Sequence, residues 1–136
     1  VSRGLGDVYK RQVYDACGVT DINRLYVVAD VLITDYSSVF FDYANLHRPM
    51  LFYMYDLASY AGEIRGFYID LDCLPGPIVE TQADLHRALH AVEADKSRYA
   101  EKYAAFNARF NYLDDGHAAQ RVVERVVLDR DGANVV

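Results

Sequence analysis

The sequence predicts an α/β fold, a parallel sheet covered by helices, and two observations carry that expectation. Short, nearly continuous apolar runs, Val31 to Thr34 and Met50 to Met54, have the length and side-chain content of strands buried on both faces. Segments with apolar residues at helical spacing precede and follow them, so helix and strand alternate along the chain, the pattern of a parallel sheet rather than of hairpins.

A chain of 136 residues with 52% hydrophobic and 25% charged content suits one domain with an ordinary globular core. The formal net charge of −6 argues against a nucleic-acid face or a strongly basic membrane surface, so a phosphate ligand needs local positive potential. Cys17 and Cys73 have no metal-ligand spacing and read as two reduced thiols of a cytoplasmic protein. No apolar run approaches the roughly 20 residues that span a bilayer.

In chain order, residues 1–12 (VSRGLGDVYKRQ) show no periodicity, and their Arg, Gly and Lys content sets them apart from the apolar stretch after residue 12; they read as a non-native or disordered prefix. Residues 13–129 form the expected domain, incomplete at its N-terminal side, and residues 130–136 a loose tail. Val13 and Tyr14 are candidates for the end of a strand. Thr20 and Asp21 start a short amphipathic helix to Ala29, with Ile22, Leu25, Tyr26 and Val28 or Ala29 facing inward. The strand Val31 to Thr34 follows, then a second helix holding Phe40, Phe41 and Ala44, for which Ser37 is the expected cap. His47-Arg48-Pro49 ends that helix before the strand Met50 to Met54.

Between Tyr55 and Pro77 the sequence is irregular, which in a compact domain points to function. Phe67 to Leu71 and Ile78-Val79 read as brief extended segments. Thr81, with Asp84 three residues on, opens a helix carrying Leu85, Leu89 and Val92. Asp95 to about Phe110 reads as a further helix. After Asp114-Asp115-Gly116 the last helix runs from His117 to Leu128, with Ala118, Val122 and Val126 on its inner face.

The candidate site lies where the first strand turns into the second helix. Ligands of open α/β sheets gather outside the carboxyl ends of the strands, and Thr34, Asp35, Ser37 and Ser38 cluster at one such end. Hydroxyls beside a helix N-terminus suit a phosphate, and a capping serine is the plainer reading of the same residues. Asp42, one turn beyond Ser38, is either a solvated helix charge or an acceptor for a ribose or polyol hydroxyl. Arg65, beside Gly66, is either a surface arginine or a phosphate contact. His86 and His90, four apart on a helix, lack a third metal ligand nearby and read as a solvated face.

The run Ala29 to Ser38, followed by Phe41-Asp42-Tyr43-Ala44, Arg48-Pro49, Phe52-Tyr53, Tyr55-Asp56, Arg65-Gly66-Phe67-Tyr68 and Pro75-Gly76-Pro77-Ile78-Val79, closely resembles the C-terminal part of the CDP-glycerol glycerophosphotransferase family. The resemblance covers roughly residues 13–89. It implies the C-terminal, Rossmann-like half of a GT-B glycosyltransferase-type fold, holding the cytidine diphosphate part of CDP-glycerol. Ser37 and Ser38 then take the diphosphate, Asp42 the ribose, and Thr34 and Arg65 are further phosphate contacts. The implied reaction is metal-independent and uses no cofactor. A hydroxyl at the end of a polyol-phosphate polymer attacks the glycerol-bearing phosphorus, and CMP leaves.

The family's base and its histidine motif lie before the point where this chain begins. The chain alone is therefore expected to bind CDP-glycerol or CMP weakly and to lack transferase activity. The full-length enzyme is expected to be cytoplasmic, peripheral at the inner face of the plasma membrane, with membrane contact through its other part and no nucleic-acid partner. Glycerol and ribitol donors are not distinguished, nor are other nucleotide-linked GT-B transferases. A response-regulator receiver with Asp35 as phosphoacceptor is the alternative from another class, though no Lys-Pro follows a late strand.

Overall fold

The structure, a computed structural model, describes residues 13–59 and 70–128. The 1–12 prefix, Tyr60, Arg65, Gly66, Phe67, Tyr68 and the 130–136 tail lie outside the described residues. Three parallel strands, β1 (Leu32–Thr34), β2 (Met50–Tyr53) and β3 (Ile78–Val79), form one sheet in the order β1-β2-β3. Leu32, Ile33 and Thr34 lie beside Met50, Leu51 and Phe52, and Phe52 and Tyr53 beside Ile78 and Val79. The alternation of helix and strand thus produces the α/β parallel sheet it predicts.

β2 is the centre of the sheet, and Met50, Leu51 and Phe52 are almost wholly buried. β1 is shorter than expected and covered on one face only, with Ile33 45% exposed. Helix α1 (Ile22–Val28) is capped by Asp21, whose carboxylate accepts from the Asn23 N–H at 3.0 Å. Its inner face is narrower than the spacing suggests: Tyr26 is buried, Leu25 and Ala29 half-buried, and Ile22 and Val28 exposed. Val13 and Tyr14 are exposed and outside any strand.

Helix α2 (Val39–Ala44) packs Phe40, Tyr43 and Ala44 into the core. His47 leaves it with φ 53°, in the left-handed region, which turns the chain out of the helix ahead of Arg48-Pro49. After the single turn α3 (Leu57–Ser59) and a 3₁₀ turn at Leu71–Cys73, β3 leads to α4 (Gln82–Phe110).

The two helices expected over this last stretch are one helix of 29 residues, about 43 Å long. The break expected before Asp95 has no Gly or Pro to make it. The Glu93–Lys96 pair at 2.9 Å bridges the supposed break. The capping residue itself is as expected: Thr81 Oγ1 accepts from the Asp84 N–H at 3.1 Å and donates to the Asp84 carboxylate. The final helix is α5 (Ala118–Val122), running into a π-helical turn at Val123–Val127. Its expected inner residues face solvent, Val122 at 59% and Val126 at 74% exposed.

The far half of α4 holds α2 from its carboxyl end. Asn107 Nδ2 donates to the Ala44 carbonyl at 3.1 Å, Asn111 Nδ2 to the Phe41 carbonyl at 2.8 Å, and the Phe41 ring packs against Phe106 at a tilt and against Phe110 edge to face. Arg48 ties α1 to the same unit. Its Nη1 donates to the Ala29 and Val27 carbonyls at 2.7 and 2.9 Å, at the negative end of the α1 dipole, and Tyr43 donates to Ala29 at 2.8 Å.

Candidate functional site

Four of the five residues singled out from sequence fall within the described residues, three of them at or just past the carboxyl end of β1 and the fourth inside α2. Thr34 is the last residue of β1, half-buried beside Phe52; Ser37 and Ser38 follow in the turn, and Asp42 lies in α2, the last three exposed. Arg65 lies outside the described residues.

Capping works differently from the expectation. Ser38, not Ser37, occupies the N-cap position of α2; its backbone is α-helical (φ −67°, ψ −4°) and its side chain makes no capping hydrogen bond. The turn is held instead by Asp35, whose carboxylate accepts from the Ser37 N–H at 3.1 Å, an Asx-type turn that competes with a helical start. Both serine hydroxyls are consequently without a hydrogen-bond partner among the described residues, and the N–H groups of Val39 and Phe40 donate to no carbonyl outside the helix. Two hydroxyls and two backbone N–H groups thus follow the carboxyl end of β1 on four successive residues, groups of the kind that donate to phosphate oxygens.

The electrostatics set a condition on any such ligand. The turns after β1 and β2, which Tyr36 joins, carry two carboxylates, Asp35 and Asp56, so an anion here depends on cations from elsewhere, the role sequence reasoning gives to Arg65. α2 is only six residues long, and its dipole is a minor term beside its individual N–H groups. The Tyr26 hydroxyl is the one buried side-chain polar atom without a hydrogen-bond partner among the described residues. Burial, and secondarily the Asp42 charge, push that phenol above its ordinary pKa.

Sequence reasoning missed one contact at these strand ends. The Tyr36 hydroxyl donates to Asp56 Oδ1 at 2.8 Å, joining the turn after β1 to the turn after β2. Its only signal was an acidic residue just past a predicted strand. A cavity of about 260 Å³ lies elsewhere, at the amino ends of β2 and β3, lined by His47, Pro49, Gly76, Asp95, Tyr99 and Tyr103 among others. It is remote from the serine turn because it lies at the opposite ends of the strands. Among the described residues no group of three or more His, Cys, Asp or Glu side chains is placed to hold a metal, and His86 and His90 are exposed. Cys17 and Cys73 are free thiols. No described helix is long and apolar enough to cross a membrane.

The family model for CDP-Glycerol:Poly(glycerophosphate) glycerophosphotransferase matches residues 4–128. The chain belongs to this family. Among its relatives, the teichoic acid glycerol-phosphate transferase of Staphylococcus aureus (strain NCTC 8325) is 45% identical over 115 residues, 84% of this chain and 30% of that protein. The teichoic acid poly(glycerol phosphate) polymerase of Bacillus spizizenii is 42% identical over 120 residues, 88% of this chain and 30% of the polymerase. The poly(ribitol-phosphate) polymerase of the same organism is 37% identical over 124 residues, 90% of this chain and 19% of that protein.

The solved structure of the wall teichoic acid polymerase TagF superposes with a TM-score of 0.80 at 37% identity, over 90% of this chain and 30% of TagF. A TagF variant soaked with CDPG does so with 0.79 at 38% identity, over 89% of this chain and 30% of the variant. The chain spans about 30% of the length of these first relatives. Membership of the glycerophosphotransferase family confirms the resemblance and the α/β, GT-B-type architecture, and removes the receiver alternative. The Asp35 carboxylate, the phosphoacceptor of that alternative, holds the serine turn.

Proposed function

We propose that this chain is the donor-binding part of a CDP-glycerol:polymer glycerophosphotransferase, which transfers glycerol phosphate from CDP-glycerol to a growing teichoic-acid-like polymer. The observation that carries the reading is the pair of unpartnered hydroxyls, Ser37 and Ser38, at the carboxyl end of a parallel strand in a member of this family. Ser37 and Ser38 bind the diphosphate with the Val39 and Phe40 N–H groups, and Thr34 and Arg65 add phosphate contacts. Asp42, one turn further along α2, accepts hydrogen bonds from the ribose.

In the reaction the terminal hydroxyl oxygen of the acceptor forms a bond to the glycerol-bearing phosphorus. The bond from that phosphorus to the bridging oxygen breaks, CMP leaves with the electron pair, and the hydroxyl proton passes to a base. No residue of this chain is assigned as that base. The donor-holding residues bind and orient, which converts the encounter into an in-line displacement within one complex. The parent enzyme works at the cytoplasmic face of the membrane as a peripheral protein, with membrane contact made by residues other than those described here.

A ribitol-phosphate donor is the second reading, favoured by the ribitol-phosphate polymerase relative. The glycerol-phosphate relatives are more similar, 45% and 42% against 37%. Calorimetric titration of the chain with CDP-glycerol, CDP-ribitol and CMP separates the two. Binding of CDP-glycerol at millimolar affinity or better is expected. Heat indistinguishable from buffer up to millimolar ligand counts against the proposal, and tighter binding of CDP-ribitol exchanges the readings. In the full-length transferase, Ser38→Ala is expected to raise the donor KM about tenfold, the scale of one hydrogen bond to a charged group.

A further inference from the structure

The turn that carries the serine hydroxyls is held at both ends of a short span, and one of its anchors reaches across the sheet. Tyr36 sits between Asp35, which takes the Ser37 N–H, and Ser37 itself. Its ring packs against the main core cluster, and its hydroxyl donates to Asp56 Oδ1 at 2.8 Å. Tyr36 lies two residues beyond the end of β1 and Asp56 three beyond the end of β2. Because β1 and β2 are adjacent and parallel, with Thr34 beside Phe52, this single bond closes over the carboxyl ends of both strands. Leu57, next to Asp56, packs against the same core cluster, so both ends of the bond are seated on rigid material.

We propose that Tyr36 and Asp56 are a positioning pair for the donor site. Their hydrogen bond fixes the turn that Tyr36 occupies between Asp35 and Ser37, and so presets where the Ser37 and Ser38 hydroxyls stand before ligand arrives. This rests on the donor-site reading above and extends it to two residues that do not themselves touch the donor.

Two physical points favour positioning over mere packing. A partly buried phenol has already placed its ring, so the added directional bond matters chiefly for where the loop sits. Asp56 is also an anion beside a site for anions, an arrangement disfavoured unless the carboxylate is engaged by a donor; the Tyr36 hydroxyl occupies Oδ1 and turns a liability into an anchor. Pre-setting a loop in its bound geometry improves binding by removing the ordering that ligand would otherwise impose.

The test is donor and acceptor kinetics of the full-length transferase carrying Tyr36→Phe, Asp56→Ala, Asp56→Asn, the Tyr36→Phe/Asp56→Ala pair, or Ser38→Ala as a control. Tyr36→Phe and Asp56→Ala are each expected to raise the donor KM roughly five- to tenfold. kcat, acceptor KM and melting temperature should stay near those of the parent. The double variant should be no worse than either single one, because both remove the same bond. Asp56→Asn keeps an oxygen that accepts from the phenol, and it should recover most of the loss.

A rise in donor KM for Ser38→Ala with none for Tyr36→Phe overturns the positioning role and leaves the donor site standing. No change in either overturns the donor site as well. Additive effects, or a fall in melting temperature matched by equal losses in kcat and both KM values, assign the pair to packing and overturn the inference.

Discussion

Replacing Gly76 by Ala tests whether the Pro75-Gly76-Pro77 motif serves the sheet or the ligand. A Cβ built on Gly76 meets the Met50 carbonyl oxygen at 2.1 Å and its carbon at 3.0 Å, both backbone atoms of the central strand, and the Phe52 ring at 3.4 Å. Restoring an ordinary separation of 3.4 Å to that oxygen requires 3.4 − 2.1, about 1.3 Å of movement. The neighbouring hydrogen bond from the Phe52 N–H to the Pro77 carbonyl, 2.9 Å long, joins β2 to this turn. A shift of that size lengthens it to as much as about 4.2 Å, beyond hydrogen-bonding range.

Losing that buried bond costs about 1–3 kcal/mol, and forcing volume into a packed region about 1–3 kcal/mol more. Gly76→Ala should therefore destabilise the chain by about 2–6 kcal/mol, a large share of the roughly 5–15 kcal/mol typical of a domain. Urea unfolding followed by circular dichroism measures it. In the full-length enzyme the same change should lower the temperature at which activity is lost while leaving the donor KM alone at low temperature, since Gly76 lies at the ends of the strands opposite the serine turn. A loss below about 0.5 kcal/mol, or a donor KM raised in a protein of unchanged stability, would refute the reasoning.

Arg48→Met removes the Nη1 bonds to the Val27 and Ala29 carbonyls and is expected to cost about 2–3 kcal/mol in urea unfolding, with Arg48→Lys recovering only part because the shorter side chain carries its donors less far. Tyr26→Phe deletes the unpartnered buried hydroxyl and should be neutral or stabilising by up to about 1 kcal/mol; a clear destabilisation would mean that the hydroxyl is bonded. Burial is the first cause that raises the phenols of Tyr26, Tyr43 and Tyr103. Above about pH 10 the unfolded chain ionises these groups more fully than the folded one, so their stabilisation is complete below that pH and falls as pH rises beyond it. Urea midpoints between pH 8 and 11.5 should show that decline, less steep in Tyr103→Phe, and a flat profile would contradict it.

The strands were legible because each is a compact apolar run, and the helix starts at Asp21 and Thr81 because their carboxylate and hydroxyl side chains cap the first turn. What sequence could not show arises from contacts distant along the chain. The separate helix expected from Asp95 is the continuation of α4, which packs along the sheet and α2. Apolar spacing at Val122 and Val126 resembles a core face, yet these side chains stay in solvent.

At the site, Ser37 and Ser38 were found from position alone, whereas neither caps α2 with its side chain, and the turn is held by Asp35 taking the Ser37 N–H. The Tyr36–Asp56 bond joins residues 20 apart and leaves no periodic trace. Arg48 reads as a surface cation in a Pro-containing turn, and only the approach of α1 makes it a clamp on three carbonyls.

The two ends of α2 are held very differently, and this predicts how solvent exchange will be distributed along it. At its carboxyl end Tyr43 and Ala44 are fully buried, and the Phe41 and Ala44 carbonyls take side-chain bonds from Asn111 and Asn107. Amide protons there should exchange only through large openings, close to global unfolding. The N–H groups of Val39 and Phe40, without acceptors outside the helix, should exchange many orders of magnitude faster. A ligand that engages these donors would slow exchange over a few residues only. The same helix thereby offers a deuterium label for occupancy at one end and an internal clock for the integrity of the domain at the other.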